Sequence, residues 1–367
     1  MRSTAALGIF AILFTAMCSS APKPDAAAVA APAAYTSQAG EIPVGVIPSA
    51  FLNDTQRNRR LDLTIEYPTR AGSYPVIVFS AGFGPPSRTY VGLSSYLASH
   101  GYVVMKVGHP ETRPDVTELA EIWKGQTAEH WKNRARDLSF VIDSLAALQQ
   151  QYPELNGKVD ATKVGISGHS YGAFSAMLLA GARTFAGATP QSYADPRVRA
   201  ALVMSPQGPG ETRGLTTESW REVKIPIMYM TGSTDRGLTD EENEAWRRQA
   251  FELSPEGDKW FVSVAGAGHY SFAGRLPRLD APRDETVPLM PGDQRDPRDP
   301  RNRNVPQTRT SMQPRRVDAG FYSDRQILNV VRTVSLAFWD AYLKNEPAGR
   351  EYLTKLSTRT DMTVVSK

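Results

Sequence analysis

Short apolar segments alternate with segments of helical periodicity along most of this chain. The segments predicted to be strands are Leu61–Tyr67, Val76–Ser80, Tyr102–Val107, Val164–Ser167, Val198–Met204, Ile225–Met230 and Trp260–Val264. The segments predicted to be helices are Thr89–His100, Glu129–Gln149, Tyr171–Ala180, Glu241–Leu253 and Phe321–Leu343. Strands that alternate with helices are typical of a mostly parallel sheet with crossover helices on both faces. We therefore predict a single domain of the α/β class.

The N-terminus departs from this pattern. Arg2 precedes an apolar run, Ala5–Met17, which is too short to span a bilayer and is typical of a secretory signal. We predict a signal peptide at residues 1–21, a flexible Ala/Pro-rich tether at 22–41 and the folded domain at 42–367. The protein is thus expected to be exported, either to a periplasm or out of the cell. Cys18 lies where a lipoprotein is acylated, so a lipid anchor at this residue is an open alternative.

A second departure is the segment Arg275–Arg316, which contains eight prolines. Proline lacks a backbone donor and fits neither a helix interior nor a central strand, so this segment is predicted to lie outside the core. We expect a disordered surface insertion. A lid over the site, or an arm that docks on an anionic membrane, is the alternative.

Composition excludes several classes of function. The net charge is +4, and the insertion alone holds ten arginines against six acidic residues, so the rest of the chain has no general basic surface. We therefore expect no nucleic-acid partner. With one cysteine, five histidines and no HExxH or GxxxxGK[ST] pattern, the sequence predicts no metal site and no cofactor.

Ser170 is the strongest candidate for chemistry, because Gly168–Gly172 matches the pattern G-x-S-x-G. A predicted strand enters this segment directly and a predicted helix leaves it directly, which is the arrangement of a nucleophile elbow. The turn is sharp, so side chains at the two glycine positions would collide with their neighbours. The alternative is a glycine-rich turn whose serine only caps the helix.

His269 is the candidate base, because it follows the predicted strand Trp260–Val264 and comes after Ser170 in the chain. In an elbow enzyme the partners follow in the order serine, acid, histidine. The remaining histidines fit less well by position: His100, His109, His130 and His169.

Asp235 is the candidate acid, because it follows the predicted strand Ile225–Met230 and lies between the serine and the histidine. It could instead cap the next helix, in which case Asp240 or Glu241 would be the acid.

These residue types form a known chemical unit. A serine hydroxyl is a weak nucleophile until an imidazole takes its proton, and a carboxylate orients that imidazole. The oxyanion that forms needs two backbone donors. The N–H of Tyr171 comes with the elbow, and Phe83 N–H is the predicted second donor, since Gly82 and Gly84 would let its loop approach a substrate closely.

The sequence resembles the platelet-activating-factor acetylhydrolase and predicted dienelactone hydrolase branch of the α/β-hydrolases. The similarity is carried by Val76–Gly84, Ser95–Val104, Arg136–Asp143 and Gly168–Gly172. The resemblance implies an α/β-hydrolase fold and cofactor-free hydrolysis of carboxylic esters, often short-acyl lipid esters. By position it assigns the triad to Ser170, Asp235 and His269 and the oxyanion hole to Phe83 and Tyr171. Ala81 departs from the family, which usually has histidine there.

The predicted function is therefore a serine carboxylic-ester hydrolase that acts on a small-molecule or lipid ester, with peripheral membrane association left open. The closest alternatives keep the triad and change the substrate to a cutin-like polyester or a cyclic lactone. An acyltransferase and a binding protein that has lost catalysis are more distant alternatives. The sequence does not indicate an oligomeric state.

Overall fold

A nine-stranded sheet forms the centre of the computed structural model, which describes residues 35–82, 89–111, 128–185, 189–210, 214–237, 241–273, 324–359 and 362–367. The strands of the described residues are β1 (Val44–Asp54), β2 (Arg59–Pro68), β3 (Tyr74–Ser80), β4 (Val103–Gly108), β5 (Val159–His169), β6 (Arg183–Thr184), β7 (Gln191–Ser192), β8 (Val198–Met204), β9 (Ile227–Gly232), β10 (Lys259–Val264) and β11 (Met362–Ser366). The short strands β6 and β7 pair with each other, apart from the main sheet.

The strand order in the main sheet is β1-β2-β4-β3-β5-β8-β9-β10-β11. Six strands, β4, β3, β5, β8, β9 and β10, run parallel to one another, whereas β1, β2 and β11 pair antiparallel at the two edges. The carboxyl ends of the parallel strands therefore meet at one edge of the sheet, which is where open α/β sheets place their sites. This arrangement confirms the predicted α/β class.

Helices cover both faces of the sheet. They are α1 (Val91–Ser99), α2 (Ala128–Asp143), α3 (Leu145–Gln151), α4 (Tyr171–Leu179), α5 (Glu244–Glu252), α6 (Asp324–Trp339), which continues into a π-helical turn at Asp340–Lys344, and α7 (Pro347–Lys355). Neighbouring residues of β3 point to opposite faces, so Val78 joins the core under α2 and α4, and Ile77 joins the core under α1 and α6. Every residue of β3 after Tyr74 is buried, as expected for a strand covered on both sides.

Several elements differ from the sequence prediction; the short strands β6 and β7 and the helix α7, for example, were not predicted. The edge strands β1 and β11 were not predicted. In β1 the alternation is interrupted by Pro48, which lies in a bulge of the β1–β2 pairing between Ile47 and Ala50. The predicted helix Glu129–Gln149 breaks into α2 and α3 at Ser144, whose hydroxyl donates to the carbonyl of Phe140 (2.7 Å).

The predicted tether at residues 22–41 needs a correction at its C-terminal end. Tyr96 Oη donates to the carbonyl of Thr36 (2.6 Å), and the N–H of Gly40 donates to Ser99 Oγ (2.8 Å). The ring of Tyr35 packs against Tyr352. These contacts place the residues from Tyr35 onward in the folded unit. The prediction missed this because an Ala/Pro-rich composition gives no indication of such contacts.

Other predicted segments lie outside the described residues. These are the signal peptide with Cys18, most of the tether, and the insertion Arg275–Arg316. Among the helices that the structure describes, none is both long and apolar enough to cross a membrane.

Candidate active site

Ser170 lies at the turn between β5 and α4, at the carboxyl end of the central strand. Its backbone has φ 56° and ψ −121°, an uncommon conformation for a residue other than glycine. Its N–H donates to the carbonyl of Met204 on the neighbouring β8 (2.9 Å), and its own carbonyl accepts from Gln207 Nε2 (2.9 Å). These bonds hold the turn and leave the hydroxyl at the partly exposed edge of the sheet.

The two glycines of the turn have no room for a side chain. A Cβ at Gly168 would overlap the carbonyl of Gly172, and a Cβ at Gly172 would overlap the carbonyl of Ser80 at the end of β3. The start of α4 is thus packed directly against β3.

The structure brings the three predicted triad residues together. His269 follows β10 in a short 3₁₀-helical turn, and its Nε2 lies 2.9 Å from Ser170 Oγ. Its Nδ1 lies 2.9 Å from Asp235 Oδ1, and Asp235 follows β9. Because a carboxylate only accepts, we assign the ring proton to Nδ1, which leaves Nε2 free to accept the serine proton.

Asp235 is held as a buried carboxylate. Its Oδ2 accepts from Thr231 Oγ1 (2.9 Å), and its Oδ1 also lies 3.2 Å from Arg247 Nη2. Burial by itself would raise the pKa of this carboxyl, but the hydrogen bond from His269 and the charge of Arg247 lower the pKa to about 2. The acid is therefore ionised at neutral pH.

Arg247 was not predicted as part of the site. It lies on the buried face of α5 together with Ala250 and Phe251, and its Nη1 donates to the carbonyls of Ser205 (3.0 Å) and Pro206 (2.9 Å). The sequence did contain a signal for this role. Arg247 lies at helical spacing from apolar residues, which indicates a buried position, and a buried cation needs acceptors nearby.

His169 has a structural place beside the triad. Its Nε2 donates to the carbonyl of His269 (2.9 Å), so its Nδ1 accepts from Tyr90 Oη (2.9 Å). Tyr90 Oη in turn accepts from the N–H of Gly82 (3.2 Å). Burial and the neighbouring His269 lower the pKa of His169 to about 3, so this ring is neutral. The chain of bonds links the loop after β3 to the loop that holds His269.

The predicted oxyanion donors are only partly described. Tyr171 is the first residue of α4, directly after Ser170, so its N–H lies at the positive end of that helix. Phe83 and the alternative acid Asp240 lie outside the described residues. The other alternative, Glu241, is exposed, and no contact of its side chain with His269 is described.

Among the described residues, one group could offer ligands to a metal: His109, Glu111 and Asp137. Asp137 is already saturated, because both of its oxygens accept from Arg59 and it also accepts from Arg57 and from His109 Nδ1. Glu111 lies 2.7 Å from Arg59 Nη2. Arginines occupy the positions of a cation here, so the group is better described as an ion-pair cluster.

Comparisons with known proteins find similarity to one protein family and to several cutinases. A family model described as chlorophyllase matches residues 35–186, less than half of the chain. Cutinase est2 of Thermobifida alba is 23% identical over 211 residues, which cover 57% of this chain and 57% of that protein. Cutinase est1 of the same organism is 24% identical over 174 residues, covering 47% and 46%. The cutinase of Thermobifida fusca (strain YX) is 23% identical over 174 residues, covering 47% and 43%.

The chain is similar to a chlorophyllase family and to cutinases. It spans about half the length of these relatives. The family match includes Ser170 and ends before Asp235 and His269. These similarities, with the sheet order, confirm the α/β fold and support the class of ester hydrolases. The finer resemblance to platelet-activating-factor acetylhydrolases stays a prediction.

Proposed function

We propose that this protein hydrolyses carboxylic esters through a covalent acyl-enzyme on Ser170. The observation that carries the proposal is the continuous hydrogen-bond chain from Asp235 through His269 to Ser170, with both links at 2.9 Å. This chain lies at the carboxyl edge of the sheet, on a turn whose backbone holds the serine in an uncommon conformation. A serine that only capped α4 would need no such partners, and Ser170 makes no side-chain capping bond.

The chemistry follows from the positions of the atoms. Ser170 Oγ attacks the ester carbon while its proton passes to His269 Nε2, and the imidazolium is stabilised by Asp235. Collapse of the tetrahedral intermediate breaks the bond to the alcohol, which leaves with that proton. Water then gives a proton to His269 and attacks the acyl-enzyme, releasing the acid and restoring Ser170 Oγ–H.

The oxyanion of both tetrahedral steps needs fixed donors. Tyr171 N–H is one, and its place at the first turn of α4 adds the favourable helix dipole. We retain Phe83 N–H as the second donor, on the sequence argument alone.

For the substrate class we propose polyesters of the cutin type, with smaller carboxylic esters also accepted. The support is that the relatives matched over about half of the chain are named cutinases. A short-acyl phospholipid, the substrate class implied by the resemblance found in the sequence, is a second arm of the same test.

The test compares wild-type protein with Ser170→Ala. We expect a fluorophosphonate to label the wild type at Ser170, and we expect the variant to lose about 10⁴-fold or more in turnover of p-nitrophenyl acetate. The matched control is Ser175→Ala, one turn later in α4, which removes a hydroxyl whose bond among the described residues is to the Tyr171 carbonyl. Full activity in Ser170→Ala would contradict the proposal, because another group would then be the nucleophile. A wild-type Ser170 that stays unlabelled would favour a binding protein.

A substrate panel then separates the alternatives. It contains a polyester film, a lactone and a phospholipid with a short sn-2 acyl chain. Release of soluble acid from the film at a higher rate than from the phospholipid supports the polyester assignment, and the reverse order contradicts it. Ester products formed with added alcohols would indicate acyl transfer.

A further inference from the structure

Arg134 is a fully buried cation close to the site that the proposed mechanism does not use. It lies on α2, where Trp131, Ala135 and Leu138 form the buried apolar stripe that faces β3 and α4. Burying a guanidinium is costly unless it has acceptors or an aromatic partner. The contacts of Arg134 therefore show which groups compensate for its burial and which elements it joins.

Arg134 contacts both elements that lead to the proposed oxyanion hole. On one side, Nη2 donates to the carbonyl of Ala81 and to Ser80 Oγ (3.3 Å), at the end of β3. On the other side, its guanidinium carbon lies 4.3 Å from the ring centroid of Tyr171, the first residue after Ser170. Its remaining nitrogens, Nε and Nη1, have no hydrogen-bond partner among the described residues.

A buried chain of hydrogen bonds orients Ser80 toward Arg134. Asp137 accepts from His109 Nδ1 (2.9 Å), so His109 Nε2 is an acceptor and Ser80 Oγ–H donates to it (3.0 Å). The lone pairs of Ser80 Oγ are then available to Arg134. This second serine, histidine and aspartate set is fully enclosed, so it cannot reach a substrate.

We infer that Arg134 is a positioning residue that holds the end of β3 at a fixed distance from the Ser170 turn and so fixes the position of Tyr171 N–H, the oxyanion donor that the structure describes. The inference rests on the proposed function. One acceptor of Arg134 is the carbonyl of Ala81, the residue at which the sequence departs from the family that it resembles. A displacement of about 1 Å in such a site can cost 10²-fold in rate.

The decisive probe is an aryl trifluoromethyl ketone. Ser170 Oγ adds to its carbonyl carbon, the carbonyl electron pair moves to the oxygen as an oxyanion, and the serine proton passes to His269. Binding therefore reports the oxyanion hole, whereas KM for p-nitrophenyl acetate includes ground-state binding.

In Arg134→Met we expect kcat/KM to fall about 10²-fold and the ketone Ki to rise by a similar factor, with KM changed much less. Arg134→Lys keeps the charge but loses the planar fork, so its kcat/KM and its ketone Ki should lie between those of the wild type and those of Arg134→Met. The matched control is Arg136→Met, which removes an exposed arginine from the same helix and should behave as wild type. A fluorophosphonate titration counts active molecules in each sample.

The outcomes are distinguishable. If wild-type protein neither turns over the ester nor binds the ketone, the proposed function fails. If it does both and Arg134→Met loses only active molecules, with Ki and KM unchanged, Arg134 is merely structural and the inference is wrong. Should the Met variant not fold, Arg134→Lys and Ser80→Ala decide: wild-type Ki in both overturns the inference, and a raised Ki in both supports it.

Discussion

Two histidines are buried in their neutral form, and we expect both to make the fold sensitive to mild acid. Burial lowers the pKa of His169 to about 3, with His269 nearby adding to the effect. Burial also lowers the pKa of His109 to about 4, with a further contribution from the charge of Arg134, although Asp137 opposes it. In both rings each nitrogen has a partner that suits the neutral form.

The direction and size of the effect follow from proton linkage. In the unfolded chain a histidine binds its proton near pH 6.5. Between that pH and the native pKa the unfolded state holds more protons, so the free energy of unfolding decreases as the pH falls. At pH 5 each of the two rings should have removed about 2 kcal/mol relative to pH 8, together about 4 kcal/mol. That is a large share of the 5–15 kcal/mol typical of a domain.

Urea unfolding followed by tryptophan fluorescence at pH 7.5, 6 and 5 measures this loss. His169→Gln and His109→Gln each lower stability at all pH values, but each should remove about half of the difference between pH 7.5 and 5. Asp235, whose pKa is lowered to about 2, keeps its stabilising contribution throughout this window and loses it only as the pH falls below about 4. A wild-type loss below about 1 kcal/mol, or variants with an unchanged difference, would refute the assignment of both rings as buried and neutral.

Three further substitutions test the packing and the triad. Gly172→Ala should destabilise the fold by about 1–3 kcal/mol in urea unfolding, because its Cβ would overlap the Ser80 carbonyl; unchanged stability would show that α4 is not packed on β3. Asp235→Asn should lower kcat for p-nitrophenyl acetate about 10⁴-fold, since the imidazole loses its carboxylate; a loss below about tenfold would exclude Asp235 as the acid. Lys106→Met should cost about 3–5 kcal/mol, because it leaves the buried carboxylate of Glu66 without the ammonium 2.9 Å away. Adding Glu66→Gln should recover much of that loss, and an equally unstable double variant would contradict the ion-pair argument.

The sheet could be predicted from the sequence where burial on both sides leaves an apolar run. Val76–Ser80 lies within β3 (Tyr74–Ser80), and Trp260–Val264 lies within β10 (Lys259–Val264). The edge strands β1 and β11 were not predicted because an edge strand needs only one apolar face. In β11, Met362 is buried whereas Thr363 and Ser366 are not, so the segment lacks the continuous apolar run of a central strand.

The positions of Ser170, Asp235 and His269 could be predicted for a topological reason. Each follows an apolar strand, and parallel strands deliver the residues after them to one edge of the sheet whatever the lengths between them. No contact between side chains had to be known in advance. The second oxyanion donor could not be treated in this way, because the strand pattern does not fix which backbone N–H would complete the hole.

The two buried arginines show what a pattern of apolar positions conceals. Arg134 lies on the apolar stripe of α2 and Arg247 on that of α5, so a search for hydrophobic periodicity passes over both as interruptions. Their partners lie far away in the sequence: the Ala81 carbonyl for one, the Asp235 carboxylate for the other. A cation on a buried helix face must have acceptors, so each interruption was itself evidence for a polar group opposite. In this fold the two arginines flank the Ser170 turn from different helices, one contacting the acid and the other the end of β3. The two contacts can therefore be tested separately. A substitution of Arg247 removes the charge beside Asp235, and a substitution of Arg134 removes the bond to the end of β3.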